Sequence, residues 1–259
     1  MDLGIRGRKA IVCASSRGLG RGCALALARE GCDVVVNGRD AETLSRTAAD
    51  IRDSTGTNVT EVVADVSTPE GQRALLEACS DPDILVNNNG GPPRRDYTEL
   101  DRDAMIAGVV QNMVTPIELI QAVLPGMAER RFGRVVNITS LSVFMPIEGL
   151  DLSSAARAGL TAFLAGVCRT VADRDVTVNA LLPGKMDTDR LRGGMAGTAK
   201  RTGRTIEEVA DAQRAEIPAR RFGEAEEFGE ICAFLCSRQA SYIVGRNVVV
   251  DGGLYPSAF

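Results

Sequence analysis

The sequence predicts a doubly wound α/β fold, about seven parallel strands with helices on both faces, and three observations carry that prediction. Short β-rich runs recur along the 259 residues. Amphipathic helical stretches separate them, and a glycine turn follows the first run at a strand-to-helix junction. Repetition of strand, helix and strand implies parallel strands with right-handed crossovers, whose ligands bind at the carboxyl ends of the strands.

In chain order, the strands are expected at Ala10–Cys13, Asp33–Asn37, Val59–Val63, Ile84–Asn87, Arg134–Thr139, Val176–Leu181 and Asn247–Val250. Helical patterning covers Leu19–Glu30, Ala41–Ser54, Pro69–Cys79, Val114–Arg131, Ser154–Asp173 and Glu224–Cys236. In GLDLSSAARAGLTAF, residues 149–163, Ser153 and Ser154 read as capping residues ahead of an alanine-rich helix. The alternation is regular enough to make residues 1–259 a single dinucleotide-binding domain. One segment, Thr188–Pro218, is too long for an ordinary connection and reads as a substrate lid or a disordered excursion, with the lid favoured.

Composition narrows the function. Hydrophobic residues at 44% and charged residues at 25% suit a globular core. A net charge of −4 gives no general attraction to nucleic acid or anionic lipid, although a local Arg cluster could still hold one phosphate. The N-terminus has no signal-type apolar region and no later stretch reads as a membrane span, so the expectation is a cytoplasmic protein. Seven scattered cysteines read as reduced core thiols, and Cys232 with Cys236 would supply only half of a zinc site. The chain has no histidine, which excludes a Ser-His-Asp triad.

The segment CASSRGLGRG places Ala14, Gly18 and Gly20 in a Gly-x3-Gly-x-Gly frame whose first glycine has become alanine. Small residues there let the backbone approach a pyrophosphate at a helix N-terminus, as in a Rossmann-type domain, which makes Ser15, Ser16, Arg17, Gly18, Leu19 and Gly20 cofactor-binding candidates. The second strand runs into Gly38 and Arg39, where an NAD-specific fold would place an acid. Arg17 and Arg39 instead suit a ribose 2′-phosphate, so NADP(H) is expected over NAD.

Together with further motifs, these residues make the chain resemble the short-chain dehydrogenase/reductase family, of the 3-oxoacyl-ACP reductase kind, over essentially its whole length. Asp65-Val66 resembles the family's adenine contact, and NNNG, including Asn88 and Gly90, its Asn-Asn-Ala-Gly turn with Asn89 in place of alanine. Asn112 and Ser140 match its active-site Asn and Ser, and Pro183, Gly184 and Thr188 match the segment that closes over the nicotinamide. The resemblance also implies a homotetramer or homodimer paired through Val114–Arg131 and Ser154–Asp173, where Gly159, Ala162 and Ala165 would allow close approach.

The chain departs from that family at the chemical step. The family's Tyr, 13 residues after the Ser, is Ser153 here, and its Lys, four residues further on, is Arg157. An aliphatic hydroxyl is a far weaker acid than a phenol, and Arg keeps its proton where Lys can relay one. Three readings follow. In the first, an NADP(H)-dependent oxidoreductase uses Ser140 and Ser153 to polarise a carbonyl or related activated substrate, with a water oriented by Asn112 carrying the proton and Arg157 holding the nicotinamide ribose. The second is a catalytically silent NADP(H)-binding sensor or complex subunit, and the third a non-redox lyase or isomerase. Lys185 and Tyr97 are substitute donors, each weighed against pointing to solvent. Arg94, Arg95, Arg102, Arg190, Arg192, Arg201 and Arg204 could receive an anionic or carrier-bound small-molecule substrate, weighed against a solvated face.

Overall fold

The computed structural model describes residues 2–257. Strands β1 (Lys9–Val12), β2 (Asp33–Gly38), β3 (Val59–Val63), β4 (Ile84–Asn87), β5 (Gly133–Ile138), β6 (Val176–Pro183) and β7 (Asn247–Val250) pair in parallel, in the order β3-β2-β1-β4-β5-β6-β7. Each lies where the sequence predicts it: β3, β4 and β7 have the expected bounds, and the ends of the other four move by one or two residues. The helices are α1 (Gly18–Arg29), α2 (Ala41–Thr55), α3 (Pro69–Ala78), α4 (Arg102–Val109), α5 (Thr115–Glu129), α6 (Asp151–Val167), α7 (Asp189–Thr202), α8 (Ile206–Glu216) and α9 (Ala225–Leu235).

The strands read as continuous apolar runs because both faces of the sheet are covered. Alternate side chains serve the two cores: Ala10, Val12, Val34, Val36, Ile84 and Val86 pack with α1, α2 and α9. Ile11, Cys13, Val35 and Leu85 pack with α3, α5 and α6. Strand order reverses between β1 and β4, so the turn after β1 and the loop after β4 open one crevice at the carboxyl edge. All seven cysteines are buried and free, in agreement with the reduced-thiol reading.

Four expectations are corrected. Helix α6 begins at Asp151, with Leu150 as its N-cap. Ser153 and Ser154 therefore lie inside the first turn instead of capping it, and the Ser154 hydroxyl donates back to the Leu150 carbonyl at 2.8 Å. The helix ends at Val167 and continues as two 3₁₀ turns to Arg174.

The predicted Val114–Arg131 helix starts at Thr115 and is preceded by a π-helical turn, Val110–Val114, and by α4, which the apolar pattern did not suggest. Pro116 has no N–H to offer the residue four back, Asn112, so the ladder shifts and the Thr115 N–H reaches Val110. The continuous helical path Arg102–Glu129 is long and apolar enough, by length and composition, to meet a membrane-span criterion, contrary to expectation. Leu119, Ile120, Val123, Leu124 and Met127 of that path are core residues beneath the sheet.

Finally, Thr188–Pro218 is an ordered helical pair and not an excursion. Thr188 caps α7, Thr205 opens α8 with a capping box, and Met195, Ala199, Val209 and Ala210 form a small core between them. The glycines of RGGMAG concealed that helix, because Gly lowers intrinsic propensity while tertiary packing supplies what is missing.

Candidate active site

The turn after β1 has the geometry of an anion cradle. Ala14 adopts φ +45°, a conformation that favours glycine, and Gly18 lies at φ +56°. A Cβ on Gly20 would stand 2.3 Å from the Ala14 carbonyl oxygen, so α1 can approach the strand this closely only with glycine there. Arg17, the α1 N-cap, is extended and gives no side-chain cap, and the first turn carries no acid, which leaves the leading N–H groups for a ligand anion. Ser16 lies beside Gly38, and Leu19 packs on the core beneath. Ser15 is buried, and its hydroxyl donates to Val12 and accepts from the Asn37 N–H. Its N–H also donates to the Asn37 carbonyl at 2.7 Å, so both side chain and backbone of Ser15 tie the turn to β2 and its role is to shape the cradle.

At the end of β2, Arg39 is 76% exposed with Nη1 3.6 Å from Asp65, and Arg17 is 72% exposed with Nη1 3.8 Å from Asp189. Neither pair is tight, so both guanidiniums are free to reach a phosphate at little cost. Val66 lines the crevice floor. Asn88 donates to the Ala14 carbonyl at 3.1 Å, joining the two halves of the crevice. Asn89, standing where the family has alanine, donates to Ser67 Oγ at 2.9 Å and to the Gln111 carbonyl at 3.2 Å, while Gly90 donates to its Oδ1. The asparagine therefore adds a clamp between β3, β4 and the π-helical turn.

A cavity lies deeper, lined by Asn87, Asn112, Thr115 and Arg157 among others. Asn112 is 3% exposed on the π-helical turn and donates to Gly108 at 3.3 Å, and its Oδ1 has no partner among the described residues. Asn87 Oδ1 and Thr115 Oγ1 are unpartnered too. Three orphaned polar atoms on one small cavity make it suited to ordered water.

Ser140, half-buried at the end of β5, accepts from the Ser142 N–H at 3.1 Å and opens the 3₁₀ turn Leu141–Val143, against which α6 packs. Ser153 is buried, and its Oγ accepts from Arg157 Nε at 3.2 Å. Arg157 Nη1 donates to the Ile138 carbonyl at 2.8 Å, and Nη2 donates to no protein atom among the described residues. Burial, with repulsion from Arg190 added, brings this guanidinium down to about 10, so it stays cationic at neutral pH. The arrangement couples a cation to the hydroxyl that stands in the tyrosine's place, a link the i,i+4 spacing allows but does not specify.

Pro183 ends β6, and the Gly184 N–H donates to Val250 at 2.9 Å. Thr188 lies against the glycine turn, since a Cβ on Gly18 would touch it at 3.6 Å. Lys185 does not join this group: its Nζ pairs with Glu216 at 2.5 Å, along a separate groove with Arg221 and Asp251. Tyr97 is 73% exposed on a 3₁₀ turn. The solvent-facing alternative is the one realised for Tyr97, and the carboxylate of Glu216 holds Lys185 elsewhere.

Residues 13–255 match the model of a protein family described as enoyl-(acyl carrier protein) reductase. The chain is 34% identical to the 3-oxoacyl-[acyl-carrier-protein] reductase FabG of Pseudomonas aeruginosa, over 98% of this chain and 100% of that one. Among solved structures, it superposes on L-sorbose reductase from Gluconobacter frateurii complexed with NADPH and L-sorbose, with a TM-score of 0.94, 29% identity and coverage of 99% and 100%. It also superposes on YwfH, an NADPH-dependent reductase involved in bacilysin biosynthesis, with a TM-score of 0.91, 28% identity and coverage of 97% and 99%.

Proposed function

The chain belongs to the short-chain dehydrogenase/reductase family, and from that premise we propose that it transfers hydride between NADP(H) and a carbonyl or related activated substrate with a non-standard proton path. The observation that carries this reading is the 3.2 Å contact from Arg157 Nε to Ser153 Oγ. It leaves the Ser153 O–H free to donate a hydrogen bond to a substrate oxygen, with the cation polarising that hydroxyl toward the charge that develops there.

The cofactor groove supports NADP(H): an uncapped α1 N-terminus, close backbone approach at Gly20, and Arg17 with Gly38-Arg39 where an NAD-specific fold would place an acid. When bound, NADPH supplies the hydride. Ser140 and Ser153 hold the substrate oxygen, and Asn112 orients a water that delivers the proton, its unpaired Oδ1 being the acceptor such a water requires. Arg157 holds the positive field beside the ribose. A substrate whose product charge is already delocalised, such as an activated ketone, a quinone or an iminium ion, needs the least acid.

A cytoplasmic, reduced setting fits the seven free thiols, and Ala162, Ala165 and Phe163, exposed on α6, offer a face for pairing with further copies. The alternative of a silent NADP(H) sensor is favoured only by the loss of both Tyr and Lys.

NADPH absorbance decay against 3-oxoacyl thioesters, diketones, quinones and cyclic imines tests the proposal. Turnover that falls roughly 100-fold or more in Ser140→Ala is expected, as for loss of one oxyanion donor. Tight NADPH binding with no turnover on any substrate would transfer the reading to the sensor.

A further inference from the structure

The arginines of this cleft divide into two groups. On and around α7 and α8, Arg192 pairs with Asp187 at 2.9 Å and Arg221 with Glu227 at 2.6 Å, while Arg214 bonds both Glu207 and Asp211. Arg190, on the first turn of the same helix as Arg192, has no carboxylate within 4.0 Å among the described residues, nor do Arg94 and Arg157. The acids nearest Arg190 in sequence are engaged with other arginines: Asp187 with Arg192, and Asp189 with Arg17 and Arg192.

These three unpaired guanidiniums are gathered around one loop. Arg190 donates to the carbonyls of Gly91 at 3.2 Å and Pro92 at 3.3 Å, at the far end of the stretch after β4 whose near end, Asn87–Asn89, lines the Arg157 cavity. The same loop carries Arg94 and is fastened to the segment leading into α6, with the Arg95 N–H donating to Gly149 at 3.1 Å, two residues before that helix begins. Asp96, on this loop, accepts from both the N–H and the hydroxyl of Thr98 and lies within 4.0 Å of none of these three guanidiniums. The charges feel each other. Burial first, and then the neighbouring guanidinium, lowers the pKa of Arg157 beside Arg190 and of Arg190 beside Arg94. The acids beside Arg192, Arg214 and Arg221 raise theirs. Guanidiniums gathered without a protein counter-ion keep their donors open to charge-assisted bonds with an anion.

We propose that Arg190 and Arg94, backed by Arg157, form a carboxylate-binding subsite of the substrate pocket, so that the physiological substrate is a small oxo acid or a related anionic acceptor. This rests on the reading that substrate enters the cleft beside Ser140 and Ser153. A small acid is favoured over a carrier-bound thioester because Arg157 lies within the catalytic cavity, whereas a carrier arm would leave its phosphate at the far end from the reacting carbon. Arg190 is surface-accessible at the rim, so a ligand carboxylate can take the fork in exchange for the two backbone carbonyls.

The test is a titration of the protein–NADP+ complex, read by binding and not by turnover, with 2-oxobutanoate and 4-oxopentanoate against their carboxamides. The carboxylates are expected to bind at least tenfold more tightly than the neutral amides. Arg94→Ala/Arg190→Ala should abolish that preference while leaving NADP+ affinity unchanged, and Arg190→Lys should restore part of it. Equal binding of acid and amide by the unaltered protein would overturn the subsite. Loss of NADP+ affinity in the double variant, in place of lost carboxylate preference, would overturn it as well, by assigning these arginines to the cofactor. A preserved preference without turnover on any acceptor would count against the catalytic reading alone.

Discussion

Arg157→Met removes a charge that the fold buries without a counter-ion, and the consequences for stability and for catalysis separate. Keeping a guanidinium charged when its pKa has been brought from 12.5 to about 10 costs about 3 kcal/mol at pH 7. Against this, the bonds to Ile138 and Ser153 each return about 1.5–3 kcal/mol, as hydrogen bonds from a charged donor do. Met fills similar space and carries no desolvation cost, so the variant should lose less than about 3 kcal/mol in urea unfolding at pH 7. The folded protein gives up this proton at lower pH than the unfolded chain does. Wild-type stability relative to the variant should therefore rise as pH climbs through about 10.

Turnover responds differently. In the proposed mechanism Arg157 polarises the Ser153 hydroxyl that holds the substrate oxygen, so its loss weakens one charge-assisted bond in the transition state, about 1.5–3 kcal/mol or roughly a 10- to 150-fold fall in kcat. Wild-type kcat should also decline above about pH 10, a limb absent from the variant. Urea melts and NADPH-decay rates at a series of pH values measure both effects. Wild-type kcat in Arg157→Met would refute the catalytic argument. A stability loss well beyond 3 kcal/mol would refute the claim that this charge is held at nearly balanced cost.

Three other substitutions are informative. Gly20→Ala forces a Cβ onto the Ala14 carbonyl at 2.3 Å, and should cost about 1–3 kcal/mol in thermal or urea unfolding and weaken NADPH binding, followed by fluorescence titration. Arg39→Ala should weaken NADPH roughly tenfold while leaving NADH affinity unchanged, because its guanidinium answers only the 2′-phosphate; equal losses for both would remove that assignment. Lys185→Met, which breaks the pair with Glu216, should leave kcat within about twofold and shift stability by no more than about 1 kcal/mol, as expected of a partly exposed ion pair.

Much of this molecule follows from local rules. The seven strands and most helices are legible because burial on both faces writes continuous apolar runs into strands such as ILVN and GRVVNI, and because Asp40 and Thr68 mark helix starts by accepting from backbone N–H groups. The glycine turn, the Gly38-Arg39 pair where an NAD-specific fold would place an acid, and the replacement of Tyr and Lys by Ser153 and Arg157 are equally visible, since each depends on residue type at a fixed spacing. Helix α7 was hidden because its packing partner is α8, and α4 and the π-helical turn because Pro116 acts on the hydrogen-bond ladder and not on apolar periodicity.

The sheet, the glycine turn of the cofactor groove and the presence of Ser153 and Arg157 on α6 are thus written in local residue order. Only the tertiary structure decided that Arg157 spans from Ser153 to the Ile138 carbonyl, that Lys185 is held by Glu216, and which arginines are left without an acid. The reason is the range of the forces involved. Periodicity, caps and turns are set within a few residues, whereas a charge finds or lacks its partner, and a hydroxyl its donor, through contacts between segments far apart in the chain.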